Sequence, residues 1–245
     1  MTFWFASNNP HKAEELKSIL IEALPPLSAA SLKTPKEAGI EFDPDETGTT
    51  FMENALIKAR ALYGIVGEPV IADDSGLCID ALGGRPGIYS ARYRGMEGGG
   101  MDGAGLPNLS DDERNAIVLR EMEGQADRRA RFVCAMALID GKREYTALET
   151  LEGEIIAGKL NCQRFPPRMA GVDKADSSAY AELYKQNCQG WQFCGFGYDP
   201  ILYLPGEGAT VAGLAPSEKN RLSHRGKAAR KIAVYIAEMI SRSAC

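Results

Sequence analysis

Apolar positions recur along this chain with two periods, and the switches between them mark its elements. Met1 to Ala6 is almost continuously apolar and aromatic, as a buried strand is. Ala13, Leu16, Ile19, Leu20 and Ala23 then follow at helical spacing, which predicts an amphipathic helix over Pro10–Leu24. Asn8 and Asn9 stand where a cap belongs, Pro10 suits the first helical position, and Pro25 and Pro26 stop the element. Thr50 and Glu53 form a capping-box pattern that opens a second helix through Leu62. Gly64 to Pro69 closes that helix. Val70–Ala72 reads as a short strand that breaks off at Asp73, Asp74, Ser75 and Gly76.

Further on, Asp111–Glu123 reads as a helix, and Arg131–Asp140 and Tyr145–Ile156 as paired strands joined at Asp140-Gly141. Pro200–Leu204 is another short strand. Gly226–Ile240 is a helix whose Ala229, Ile232, Ala233, Ile236 and Ile240 form one face. Gly95 to Pro107 is a glycine-rich loop, and Asn161 to Cys194, without a clear period, reads as an insertion. No internal repeat occurs. Helices and strands alternate at both ends with antiparallel strands between, so an α/β fold is expected, with residues 1–245 as one domain.

Composition narrows the function classes. With 44% apolar and 25% charged residues among 245, the chain can bury a large core. No apolar run is long enough for a membrane span, and Met1 to Ser7 lacks the features of a signal peptide. A cytoplasmic protein without membrane contact is the expectation. Six cysteines without a C-x-x-C pair read as reduced thiols, and two histidines, His11 and His224, are too few for a histidine-based zinc site. The formal net charge of −5 disfavours a nucleic-acid partner, so any phosphate must be met by local cations or a metal. A small charged ligand fits better than a polymer.

Four segments have chemistry to offer. Ser7, Asn8, Asn9 and Lys12 lie where a strand feeds a helix, and the free N–H groups there suit a phosphate. Ordinary capping needs the same residues, and no G-x-x-x-x-G-K-[ST] loop occurs. Asp73 and Asp74 end a predicted strand, where α/β sheets bind ligands, and Glu46 could add an oxygen to a sparse magnesium shell. A solvated Asp-Ser-Gly turn would look alike. Phe196, Gly197, Tyr198 and Asp199 place two aromatics between glycines, either to stack on a base or to pack inward. Lys219, Arg221, His224, Arg225 and Lys227 concentrate positive charge, which a solvated helix start also does.

In combination and order these segments resemble the inosine triphosphate pyrophosphatase family, the non-standard purine NTP pyrophosphatases. The resemblance rests on Ser7-Asn8-Asn9 with Lys12, Glu46-Thr47-Gly48 leading to Glu53-Asn54-Ala55, and Lys58-Ala59-Arg60. It is densest over Ile71–Leu77 and Leu82–Tyr93, and resumes at Gly195–Pro200 and Ser223–Gly226. It implies an elongated mixed sheet flanked by helices, two lobes with a central active-site cleft, and a homodimer. It implies hydrolysis of ITP, dITP and XTP to the monophosphate and pyrophosphate with Mg2+. Ser7, Asn8, Asn9 and Lys12 would hold phosphates, while Ser75 and Lys58 would contact the nucleotide. Glu46 and Asp74 would anchor the metal, with Asp74, beside Asp73, accepting the proton of the attacking water. Phe196, Gly197, Tyr198, Asp199, Lys219, His224 and Arg225 would bind the substrate, the last two near the base, where a donor would favour the 6-oxygen of hypoxanthine over the amine of adenine. The first loop departs from the usual Thr-Gly-Asn, and the segments at 95–107 and 161–194 exceed the usual length. A pyrimidine-directed pyrophosphatase and a nucleotide sensor without turnover are the competing readings.

Overall fold

The computed structural model describes residues 2–25, 31–96, 107–141, 143–157 and 195–243. Most of the glycine-rich loop and the whole of 161–194 therefore lie outside the described residues. Seven strands form one mixed sheet in the order β2-β1-β3-β4-β5-β6-β7. They are β1 (Phe3–Phe5), β2 (Leu32–Lys33), β3 (Val70–Ile79), β4 (Arg129–Ile139), β5 (Glu144–Ile155), β6 (Leu202–Leu204) and β7 (Ala209–Thr210). β1 runs parallel to both β2 and β3, whereas β6 is antiparallel to β5 and to β7. The helices are α1 (Pro10–Ala23), α2 (Phe51–Val66), α3 (Asp111–Glu121), α4 (Pro216–Leu222) and α5 (His224–Ser243). The expected α/β class holds. None of these helices is long and apolar enough to cross a membrane.

The chain divides into two compact units, each assembled from separate segments. The first comprises Met1–Ser75, Val133–Thr150 and Asn220–Cys245. Its β1, the first part of β3 and β4 are apolar on both sides because helices cover both. Phe3, Phe5, Ile71, Cys134, Met136 and Leu138 face the buried stripes of α1 and α5, which include Leu16, Leu20, Ile232 and Ile236. The intervening residues Trp4, Val70, Ala72, Ala135, Ala137 and Ile139 face Ala55, Ala59 and Leu62 of α2. The period of two along each strand thus sorts neighbours into two separate cores. α2 opens on the expected Thr50/Glu53 box and runs one turn beyond the predicted end, to Gly67 in the left-handed region.

The second unit comprises Gly76–Phe132 and Leu151–Lys219. It buries Leu77, Ile79, Tyr93, Val118, Met122 and Tyr203. Ser110 caps α3 through a second capping box with Glu113. Arg128 of this unit donates from Nε to the Ile155 carbonyl at 2.6 Å.

Two expectations need correction. Val70–Ala72 does not end at the acidic pair: β3 continues through Asp73, Asp74, Ser75 and Gly76 to Ile79. The two carboxylates are mid-strand and buried, so neither a solvated turn nor a strand terminus describes them. The cationic run at 217–227 is not a solvated helix start either. It forms α4 and the opening of α5, with Lys219, Ser223, His224 and Arg225 buried.

The junction of these helices depends on Gly226. A Cβ there would lie 1.8 Å from the carbonyl oxygen of Asn220, a backbone atom that no rotamer change can move. We expect Gly226→Ala to lower stability by at least about 1–3 kcal/mol, the range for overpacking a tight core. Urea unfolding measures it, and an unchanged midpoint would count against this close approach.

Candidate active site

The pleat of β3 sends Asp73 and Asp74 to opposite faces, Asp73 with Ile71 towards α1 and α5, Asp74 with Ala72 towards α2. Each then meets a different set of partners. Asp73 is 1% exposed and accepts from Arg225 Nε and Nη2, both at 3.1 Å. Lys12 Nζ lies 3.4 Å away and Ser75 Oγ donates at 3.2 Å. Burial pushes the Asp73 carboxyl up, but Lys12, Arg225 and Lys58 outweigh it and hold the group well below the usual carboxylate range. Arg225 is itself drawn in from several sides. Its Nη1 donates to Glu15 of α1 at 2.5 Å, and its Nη2 also reaches Ser75 Oγ at 3.0 Å.

On the other face, Asp74 accepts from Lys58 Nζ at 3.0 Å and from Asn54 Nδ2 at 3.4 Å. Asn54 and Lys58 are four residues apart on α2 and so share a face. Lys58 Nζ also lies 3.1 Å from Glu46 Oε1. The Glu46 loop is tied to the helix because Gly48 donates to Asn54 Oδ1 at 2.9 Å. One ammonium thus serves two carboxylates. Burial raises the Asp74 carboxyl, Glu46 adds to the rise, and Lys58 and Lys12 only partly offset it, so it sits above the usual range. Lys58 loses from burial as well, but Asp74, Asp73 and Glu46 more than restore its charge.

The first loop behaves as a cap in this state. Asn9 Oδ1 accepts from the backbone N–H of His11 at 3.0 Å and of Lys12 at 3.3 Å, and Ser7 Oγ accepts from Asn9 at 3.2 Å. Asn8 donates to the Phe42 carbonyl at 2.6 Å. Of the residues expected to hold phosphates, Lys12 is the one drawn to the β3 carboxylates.

In the second unit, the turn Gly195–Asp199 separates its two aromatics. Tyr198 is buried, and its hydroxyl donates to the Ser90 carbonyl at 2.9 Å. Phe196 is half-buried, with Lys219 Nζ 4.6 Å from its ring centroid. Asp199 accepts from Lys219 at 2.6 Å and from the Phe196 N–H at 2.9 Å, so the buried pair fixes the ring-bearing residue.

Sequence reasoning missed Glu15, Asn54, Asp111 and Asn115. Asn54 and Glu15 were detectable by spacing, one turn from Lys58 and from Lys12 respectively. Asn115 left a different trace, a poor helix former at a position of α3 that turns inward with Val118 and Leu119. Asp111 left none, since an acidic residue in a first helical turn is commonplace.

The chain as a whole is similar to known proteins. The model of the Ham1 family matches residues 3–187 and 185–235. The dITP/XTP pyrophosphatase of Treponema denticola is 40% identical over 237 residues, covering 96% of this chain and 98% of that one. The dITP/XTP pyrophosphatase of Leptothrix cholodnii is 38% identical over 238 residues, 95% of each chain. Among solved structures, the Ham1 protein of Staphylococcus aureus aligns over 98% of this chain and 100% of its own, with TM-score 0.69 and 30% identity. A HAM1 protein from Coxiella burnetii aligns over 97% and 99%, with TM-score 0.70 and 32% identity. With a family model spanning most of its length and relatives matching end to end, the chain belongs to the Ham1 family.

Proposed function

We propose that this protein hydrolyses non-standard purine nucleoside triphosphates, dITP and XTP with ITP, to the monophosphate and pyrophosphate. The observation that carries the reading is the unequal state of two neighbouring buried acids. Asp73 is locked as an anion, whereas Asp74 is undercompensated and holds a proton more readily than an ordinary carboxylate. A carboxylate of raised pKa beside a lysine suits a proton acceptor. A sensor without turnover would have no use for that difference. The activity itself is that of relatives named dITP/XTP pyrophosphatases at 33–40% identity.

The residues fit a magnesium ion. Glu46 and Asp74 each bring a hard oxygen within 3.1 Å of one cationic atom, Lys58 Nζ. Two carboxylates are a usual protein share for Mg2+, which takes its remaining oxygens from water and phosphate. Bound there, the ion would neutralise charge on the phosphate oxygens.

In this reading Asp74 accepts a proton from water as its oxygen bonds to the α-phosphorus. The bond from that phosphorus to the bridging oxygen breaks, and pyrophosphate leaves with the electron pair. Lys12 and Lys58 offset the charge gathering on the phosphate chain, and Ser7, Asn8, Asn9 and Ser75 donate to it. Phe196 would supply a ring face, with Gly197, Tyr198, Asp199 and Lys219 shaping its turn, and His224 would bind the base, as the family resemblance implies. Arg225, with four N–H bonds spent on Asp73, Glu15 and Ser75, would have to leave that network to read a base, and its assigned role is to hold Asp73. The proposal includes a homodimer in the cytoplasm, as the family resemblance implies.

Pyrophosphate release from dITP, XTP and ATP with Mg2+ tests the activity. The two non-standard substrates should be preferred by kcat/KM, by up to ~10⁴-fold if donors in the site reject the adenine amine. Asp74→Asn should lower kcat by at least ~10²-fold, as loss of a general base does. Turnover within a few-fold of wild type in that variant would refute the assignment.

The raised pKa of Asp74 also fixes the sign of a pH effect. A proton and a metal ion compete for the same carboxylate, and the proton persists to a higher pH than on an ordinary aspartate. Apparent Mg2+ affinity should therefore rise as pH climbs through that raised value and level off above it. Magnesium titrations at several pH values check this, and a flat profile argues against Asp74 as a ligand.

A further inference from the structure

We propose that Asp111 and Asn115 of α3 are positioning residues for the Phe196 turn, gripping Gly197 by both its backbone groups. The inference rests on the reading above that this turn meets the substrate's base. Gly197 is in the left-handed region at φ +62°, in a turn outside the helices and strands. Asp111 Oδ2 accepts from the Gly197 N–H at 2.6 Å. Asn115 Nδ2 donates to the Gly197 carbonyl at 3.0 Å. The two side chains are four residues apart on α3, hence on one face, and the peptide groups on either side of one residue are fixed to the same rigid element.

The remaining restraints on the turn act on its other residues. Asp199 with Lys219 holds the Phe196 N–H, and Ser90 holds the Tyr198 hydroxyl. The turn's own bond from the Asp199 N–H to the Phe196 carbonyl, at 3.2 Å, spans Gly197, and the α3 pair ties the Gly197 peptide groups in between to a separate element. Asn115 is a costly choice for helix stability alone. It is 3% exposed, and its Oδ1 has no hydrogen-bond partner among the described residues. A buried unmet carbonyl destabilises, so a leucine of similar size removes that cost while giving up the bond to Gly197, and the two changes offset each other in folding. What leucine lacks is the donor to Gly197.

That difference separates positioning from folding. Asn115→Leu should leave the melting temperature within a few degrees of wild type. It should raise KM for dITP about tenfold, the scale of one lost hydrogen bond in a binding equilibrium, with kcat nearly unchanged. Asp111→Ala should do the same, and Asp111→Asn, whose amide oxygen still accepts from Gly197, should recover most of the loss. Inhibition by tripolyphosphate, which has no base, should be unaltered in all three. Amide exchange at residues 195–199 should quicken in Asn115→Leu and Asp111→Ala but stay unchanged at 70–75.

Unchanged exchange at 195–199 would overturn the grip. Faster exchange with an unaltered KM would overturn its role in substrate binding, as would weaker tripolyphosphate inhibition in parallel with the rise in KM. A wild-type protein that does not turn over dITP overturns the proposed activity instead, an outcome the exchange measurement does not depend on.

Discussion

The ion pair between Asp73 and Arg225 is the constraint from which the first unit takes its order. Both groups are out of water, and the pair is closed by Lys12 on one side and Glu15 on the other. Removing either partner of a buried pair leaves a charge without compensation and costs about 3–5 kcal/mol. The pair therefore fixes the start of α5 against β3, and through Glu15 and Lys12 the first turns of α1 as well. Gly226, one residue beyond Arg225, lets the chain come close enough for this to happen.

With Asp73 so fully matched, the electrostatic tension falls on its neighbour. Asp74 and Glu46 share a single lysine, so the α2 side of β3 is short of positive charge. The difference arises from backbone geometry alone, since consecutive strand residues look into separate compartments. Two aspartates identical in chemistry become a fixed anion and a titratable group. Neither distinction exists in the unfolded chain.

Much of the first unit was legible in the sequence. The spacing of Leu16, Ile19 and Leu20, the Thr50/Glu53 box and the strands paired across Asp140-Gly141 each reflect local preferences that the fold respects. The acidic pair stood out as a site but was misplaced at a strand end, because a local reading cannot see the lysines and arginine that make buried carboxylates tolerable mid-strand. β2 and β7, two residues each, carry too little pattern to register. In Phe196-Gly197-Tyr198 the sequence showed two aromatics and left their roles open; burial of one hydroxyl against Ser90 separates them. Asp111 and Asn115 were invisible as partners of a loop some eighty residues away.

The reliance on strand parity bears on how this family can vary. A single-residue insertion or deletion between Val70 and Asp73 would exchange the surroundings of the two acids, giving the titratable role to the wrong position while turning apolar neighbours outward. A change of two residues would keep both faces intact. Length variation in relatives should thus be suppressed in this strand and collected in connections between elements. Evolution can lengthen this chain freely where nothing counts residues in pairs, and the stretch leading into Asp73-Asp74 is where something does.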